Sequence, residues 1–419
     1  MTAEVSTATK AAPARDGGEW RRHWLLVVTS LVGSTYTGQQ VYSTGVIMKP
    51  LHDAFGWSRG QVSLTVTMAG FATVFCAPFV GMLIQRYGAR RVASIAVPLT
   101  AALFAAISLT GPALWTYYAA FLVYSVIQVS IGPVLWASAV ASTFKRTRGL
   151  ALGIGLSGSG FSSIVYPQAA LWLVSQFGWR GVFWGLALGA LVLLTPLVLF
   201  AFRPLHDGDF KAPATVAAER PGLTFGEAIR TGLYWRVTTV LTIAAATIST
   251  IMIHLVPLLT DKGVAPATAA SVVGVVGVST LAGRWIGGFL LDRFAARWVA
   301  IPFFALPAAG CLVLSVFSGD IGQAMLAAAL IGVSYGVEGD MLPFLVSRYF
   351  GQRDYSKLFG LSMSFFGLGY AVAPPAAGFL FDAIGSYTTF LVLLAGLLLV
   401  ALVVAITLPA YPDEPEHGA

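Results

Sequence analysis

Apolar residues run along this chain in blocks of about twenty, broken by short stretches of charge, Pro and Gly. A helix rises about 1.5 Å per residue, so crossing a hydrocarbon core about 30 Å thick takes about 20 apolar residues. The pattern then predicts twelve spans: 24–48, 60–84, 92–110, 114–142, 149–175 and 180–201, followed by 236–260, 268–291, 298–317, 321–347, 356–381 and 387–408. The fold class is all-α, a polytopic membrane protein of two six-helix bundles, 24–202 and 236–408. A polar stretch, 203–235, separates six spans from six; its Pro, Ala and charge predict a cytoplasmic linker with a short amphipathic segment. Residues 1–23 and 409–419 are polar tails, both expected in the cytoplasm. The first 23 residues lack the apolar core of a cleavable signal peptide, so span 1 is expected to act as an uncleaved anchor.

The halves repeat at a constant shift of 207 residues. "GMLIQRYGAR" (81–90) overlays "GFLLDRFAAR" (288–297), and the same shift carries Pro50 to Pro257, Gly70 to Gly277, Gly160 to Gly367 and Gly178 to Gly385. Six spans per half keep both halves the same way up. The repeats are therefore parallel, related by an axis along the membrane normal, with a substrate site expected near the midplane between them.

Composition sharpens this picture. Of 419 residues, 57% are hydrophobic and only 10% charged, against about 25% charged in soluble domains. The net charge of +7 does not point to nucleic acid, because the basic residues sit in short clusters between spans. With a cytoplasmic N-terminus, twenty of the 25 Lys and Arg fall on the cytoplasmic side. Only Lys49, Arg59, Arg180 and Lys262 lie opposite, and Arg284 lies inside a span. The Ala- and Gly-rich composition suggests a bacterial inner-membrane protein. Cys76 and Cys311 fall within spans and form no disulfide framework. There is no HExxH, no cysteine–histidine cluster and no P-loop, so the chain is not read as an enzyme, and no metal, cofactor or ATP-driven step is expected.

The polar residues inside spans carry the chemistry. An arginine at mid-helix costs about 2.5–3.5 kcal/mol to insert. Arg284 is therefore read either as an anion ligand or as half of an ion pair with an acid on span 10. A guanidinium fork matches a carboxylate bidentately and keeps its charge. Span 10 offers Glu338 and Asp340, which point to different faces, and Tyr335, three residues before Glu338 on a shared face. At a depth similar to Arg284, one acid would neutralise it and the other carry a proton; the plainer reading is helix–helix hydrogen bonding around Gly336 and Gly339. His254 in span 7 is either a partner for a neighbouring helix or a pH-responsive contact to substrate and proton. The first half offers Gln39, Gln40 and Tyr42 in span 1 and Tyr124 and Gln128 in span 4, and Gln128 corresponds to Tyr335 across the repeat. Such groups also serve as interhelical glue. Gly81, Arg86 and Arg90, with Gly288, Asp292, Arg293 and Arg297, are expected to cap and clamp helix ends during gating.

The pattern G-x-L-x-x-R-x-x-x-R after spans 2 and 8 resembles the loop signature of the major facilitator superfamily. "RDGGEW" (15–20) and "FKRTRGLALGIGLSGSGF" (144–161) are similar to signatures of its monocarboxylate porter family. The resemblance implies a secondary active transporter for a small organic monocarboxylate, working by alternating access with proton symport, and places the family's carboxylate-binding arginine on Arg284. Animal members carry an aspartate where Thr280 stands and a lysine where Tyr42 stands, so their proton-coupling scheme does not transfer directly. Span 11 has no cation in its interior, and one fixed positive charge favours a monoanion. Expected partners are the anion, the proton and the lipid bilayer, with a monomeric chain. A uniporter or exchanger of organic anions, including dicarboxylates or aromatic acids, and a non-transporting sensor are the alternatives.

Overall fold

A computed structural model describes residues 17–144, 147–204, 222–293, 296–351 and 353–409. Among the described residues the regular elements are helices, apart from one isolated bridge between Gly222 and Gly351. In the first half these are α1 (Gly17–Thr37), α2 (Gln39–Phe55), α3 (Arg59–Tyr87), α4 (Ala89–Ala106), α5 (Leu114–Gln128), α6 (Pro133–Thr143), α7 (Arg148–Leu156) and α8 (Gly158–Gly189). A short α9 (Phe225–Ala228) precedes α10 (Gly232–Asp261), α11 (Pro266–Arg293), α12 (Ala296–Ser315), α13 (Ile321–Phe350), α14 (Tyr355–Ile384) and α15 (Thr388–Ile406), which are spans 7 to 12.

Among the described residues, ten segments are long and apolar enough to cross a membrane. One, Leu150–Ala201, has 52 residues, about 78 Å of helix and hence two crossings. The turn between them is at Gly178, whose φ of 68° and ψ of −173° suit glycine alone. Span 1 is the remaining crossing. It is divided into α1 and α2, neither of which meets the length and composition limits by itself, so the twelve expected spans are accounted for.

Spans 1, 4 and 5 are broken, which the apolar pattern did not foresee. At Gly38 a Cβ would come within 2.6 Å of the Ser162 Cβ, so α8 packs into the gap between α1 and α2. The carbonyls freed by the break are recovered: Ser162 Oγ donates to Thr35 O at 2.6 Å, and Gln128 Nε2 donates to Thr37 O at 3.3 Å. In span 4 a 3-10 turn, Val129–Ile131, gives way to α6 at Pro133, a first-turn position where the missing N–H costs nothing.

The repeat reappears in the backbone. Gly56 and Gly263 have φ of 72° and 85°, and Gly178 and Gly385 have 68° and 73°; each pair turns the chain at equivalent ends, 207 residues apart. It also governs how the halves meet. α3 lies against α14, and α8 against α11. A Cβ on Gly70 would stand 3.4 Å from the Gly367 carbonyl, and one on Gly160 would stand 3.2 Å from the Gly277 carbonyl. These contacts exchange under the 207-residue shift, as a two-fold axis between parallel repeats requires. Phe75, Trp115, Trp172, Phe200 and Val403 are exposed around the outside, the surface of a multi-pass membrane protein facing lipid.

Candidate functional site

A cavity of about 220 Å³ follows α3 from Val66 to Val80, running toward the end of the bundle that bears the termini. Typical pockets for drug-sized ligands hold about 300–1,000 Å³, so this one suits a smaller molecule. Its walls are largely apolar, with Thr37, Gln40, Thr73, Gln128 and Tyr370 as polar groups. The Gln40 amide also donates to Thr65 O at 3.2 Å. Tyr370, on α14, is the second half's contribution, and nothing in the span pattern singled it out.

Arg284 sits half-buried on α11 and bridges the halves. Its Nη1 donates to Leu156 O at 3.0 Å. Leu156 is the last residue of α7, and the break before α8 leaves its carbonyl without a helical partner, at a helix end that favours a cation. Tyr335 lies within electrostatic reach of Arg284, Glu338 and Tyr370, and its hydroxyl meets that of Tyr42 from the other half. Ser163 also approaches Tyr42. Arg284, Tyr42, Tyr335 and Tyr370 thus gather where the halves face each other.

Other expected residues fall elsewhere. Glu338 is turned away from Arg284's helix. α13 presents Gly332, Val333, Gly336 and Val337 to α11. Glu338 lies two residues past Gly336, about 200° round the helix, and points toward α10, α12 and α15. Tyr124 and Gln39 belong to the core of the first half: Tyr124 is fully buried against Phe104 and Phe121, and its hydroxyl accepts from Gln39 Nε2 at 3.1 Å. The side chain of Asp340 lies outside the described residues.

His254 is held by a network at the end of the bundle opposite the termini. Its Nε2 is 2.9 Å from the Pro374 carbonyl, which can only accept, so that nitrogen carries the proton. Nδ1 then accepts from the Tyr387 hydroxyl at 2.8 Å. With both ring nitrogens engaged, His254 is a seam residue rather than a wall of the cavity.

The centre of that seam is Arg59. Its two terminal nitrogens donate to Asp261 Oδ1 and Oδ2, each at 2.6 Å, and Nη1 also donates to the Tyr387 hydroxyl at 3.0 Å. The guanidinium stacks 4.0 Å from the centre of the Phe381 ring. Asp382 accepts from the backbone amides of Arg59 and Gly60 at 3.2 and 3.0 Å, supplying from the second half a negative charge for the first turn of α3. Counting loop charges registered Arg59 only as a topology marker. Its rarity on the sparsely charged side was the available signal. Arg180, another of those few, likewise clamps a turn by donating to Ser108 O at 3.0 Å.

Of the loop motif, Arg90 Nη2 donates to Leu199 O at 2.8 Å, tying α4 to the end of span 6, and Arg86 stacks on Tyr87 at 5.3 Å. A Cβ on Gly81 would meet nothing within 4 Å. The side-chain surroundings of Gly288, Asp292, Arg293 and Arg297 lie outside the described residues.

The Major Facilitator Superfamily family model matches residues 28–353 and 237–419. The chain belongs to this superfamily. The transporter is 26% identical over 425 residues to human monocarboxylate transporter 11, covering 97% of this chain and 87% of that relative. It is 28% identical over 414 residues to the mouse monocarboxylate transporter 11, covering 91% and 86%. In fold it is similar to a D-xylose–proton symporter, with TM-score 0.72 at 15% identity over 93% of this chain and 98% of that one. It is also similar to a bacterial homologue of the human lysosomal transporter Spinster in an inward-facing, unoccupied conformation, with TM-score 0.70 at 15% identity over 91% and 95%. Like these relatives it is a membrane transporter for a small molecule, not an enzyme.

Proposed function

We propose that the protein moves a small organic monocarboxylate across the membrane by alternating access, in symport with a proton. The observation that carries this is the position of Arg284: a fixed positive charge on α11, between the halves, facing a helix-end carbonyl and within electrostatic reach of Tyr335. A substrate carboxylate would compete with the Leu156 carbonyl for Arg284 Nη1, offering that nitrogen an anionic acceptor in place of a neutral one. Binding then loosens a strut between α7 and α11, which links occupancy to relative movement of the halves. Residues 24–202 and 236–408 act as the two moving bodies. The Lys and Arg distribution supports cytoplasmic termini; the cavity then reaches toward the cytoplasmic face while the Arg59 network closes the outer one.

The test is thermal stabilisation of purified protein by a panel of mono- and dicarboxylates, with wild type beside Arg284→Ala and Arg284→Lys. A hydrogen bond to a charged group contributes about 1.5–3 kcal/mol. Arg284→Ala should therefore weaken monocarboxylate binding by roughly one to two orders of magnitude, and Arg284→Lys by less. Equal stabilisation of wild type and both variants, or none in wild type by any carboxylate, would overturn the reading.

A further inference from the structure

Within the second half, behind α13 as seen from Arg284, lies a small cavity of about 30 Å³ bordered by α10, α12, α13 and α15. Its polar groups are Thr247, Ser334, Tyr335 and Glu338, set among apolar residues that include Phe303 and Phe304. Glu338 is 6% exposed, and its Oε1 is buried with no hydrogen-bond partner. The lining residues of α10, α12 and α15 carry no charge. Thr247 spends its hydroxyl proton on the Ile243 carbonyl at 3.0 Å. The titratable groups that act on Glu338 are Tyr335 on its own helix and Tyr370 on α14, while Arg284 acts on Tyr335 from α11. Asp340, two residues on, has its side chain outside the described residues.

An ionised carboxylate in such a place needs a cation or several donors; the lining supplies no cation and, Thr247 apart, only the hydroxyls of Ser334 and Tyr335. A metal ion would need a cage of oxygens, which phenylalanine walls do not give. A proton needs only the carboxylate, and the volume leaves room for about two waters to complete its hydrogen bonds. We propose that Glu338 and this cavity form the site that takes up and releases the coupled proton, separated from the anion site by the thickness of α13.

The proposal rests on the symport reading above and gives it a physical basis. Anion and proton taken up together bring no net charge, whereas either one taken up alone adds a charge to a low-dielectric interior. Tyr335 stands between the sites, lining the cavity while its hydroxyl meets Tyr42 across the halves.

Two measurements test it. Infrared difference spectra of wild type and Glu338→Gln in membranes should show a protonated-carboxyl C=O band that titrates in wild type and is missing in the variant. In proteoliposomes with radiolabelled L-lactate, a one-unit pH gradient should drive about tenfold accumulation by wild type. Glu338→Gln should show none, and Glu338→Asp should recover part of it. Identical spectra, or pH-driven accumulation by Glu338→Gln equal to that of wild type, would overturn the proposal. If wild type neither binds nor moves any monocarboxylate, the substrate reading fails, while the infrared band still decides whether Glu338 holds a proton.

Discussion

Replacing Arg59 should unlock the end of the bundle that its network closes. Arg59 and Asp261 have side chains 21% and 33% exposed, so their pair is partly screened and contributes about 1 kcal/mol even as a bidentate fork. The hydrogen bond to the Tyr387 hydroxyl adds about 1 kcal/mol, and stacking on Phe381 adds about 0.5–1 kcal/mol. Arg59→Ala therefore removes about 2–3 kcal/mol from the closed arrangement, a shift of roughly 30- to 150-fold between closed and open populations. Arg59→Lys keeps the charge but loses the fork and most of the stacking, and should fall between. Spin labels at Asp53 and Lys262, both exposed on opposite sides of the seam, would report the change as a longer component in the distance distribution. If Arg59→Ala gives the wild-type distribution, the network is decoration on a seam held shut by other contacts.

Gly336→Ala should be worse than its size suggests. Its Cβ would run into the Thr280 carbonyl and the Arg284 amide, an overpacking cost of about 1–3 kcal/mol visible as a lower melting temperature together with weaker monocarboxylate binding. Gly38→Ala should press on Ser162, 2.6 Å from the new Cβ, and slow transport more than it lowers stability. α9 should undock in acid. The Thr224 backbone amide and hydroxyl hold the Glu227 carboxyl below the usual carboxylate range, and Lys357 with the Phe225 amide does the same for Asp354. A depressed folded value means these contacts stabilise above the ordinary carboxylate range, near about 4, and are lost as pH falls through the folded values. Hydrogen exchange at residues 223–228 should be slow near neutrality and speed up in that acidic window; protection that ignores pH would refute this docking.

Much of the fold was legible because a bilayer leaves few choices. Apolar blocks of the right length must cross it, and a 207-residue repeat with six spans per half must be parallel. The broken spans were not legible. Whether Gly38 bends a helix depends on α8 lying in the gap, and Ser162 is distant in sequence. Arg284 stood out because its charge is anomalous where it lies. The direction of Glu338 was readable in principle: once Gly336 is recognised as the packing face of α13, a residue two further on points away. His254 was ambiguous because the Pro374 carbonyl and the Tyr387 hydroxyl that satisfy it come from α14 and the turn after it. Arg59 was hidden for the opposite reason, since a charge at a span end looks ordinary until its partners are known.

Gly178 turns the chain so tightly that spans 5 and 6 are joined without a flexible loop. The two spans are thus geared together. A push delivered to α8 at Gly160, where α11 bears on it, is passed through the turn to the far end of span 6, where Arg90 anchors the Leu199 carbonyl. Compliance is left to the breaks at Gly38 and Ser157 on either side of the Arg284 strut. Stiffness and give are therefore unevenly distributed along the first half, and the soft points lie beside the place where the anion would bind.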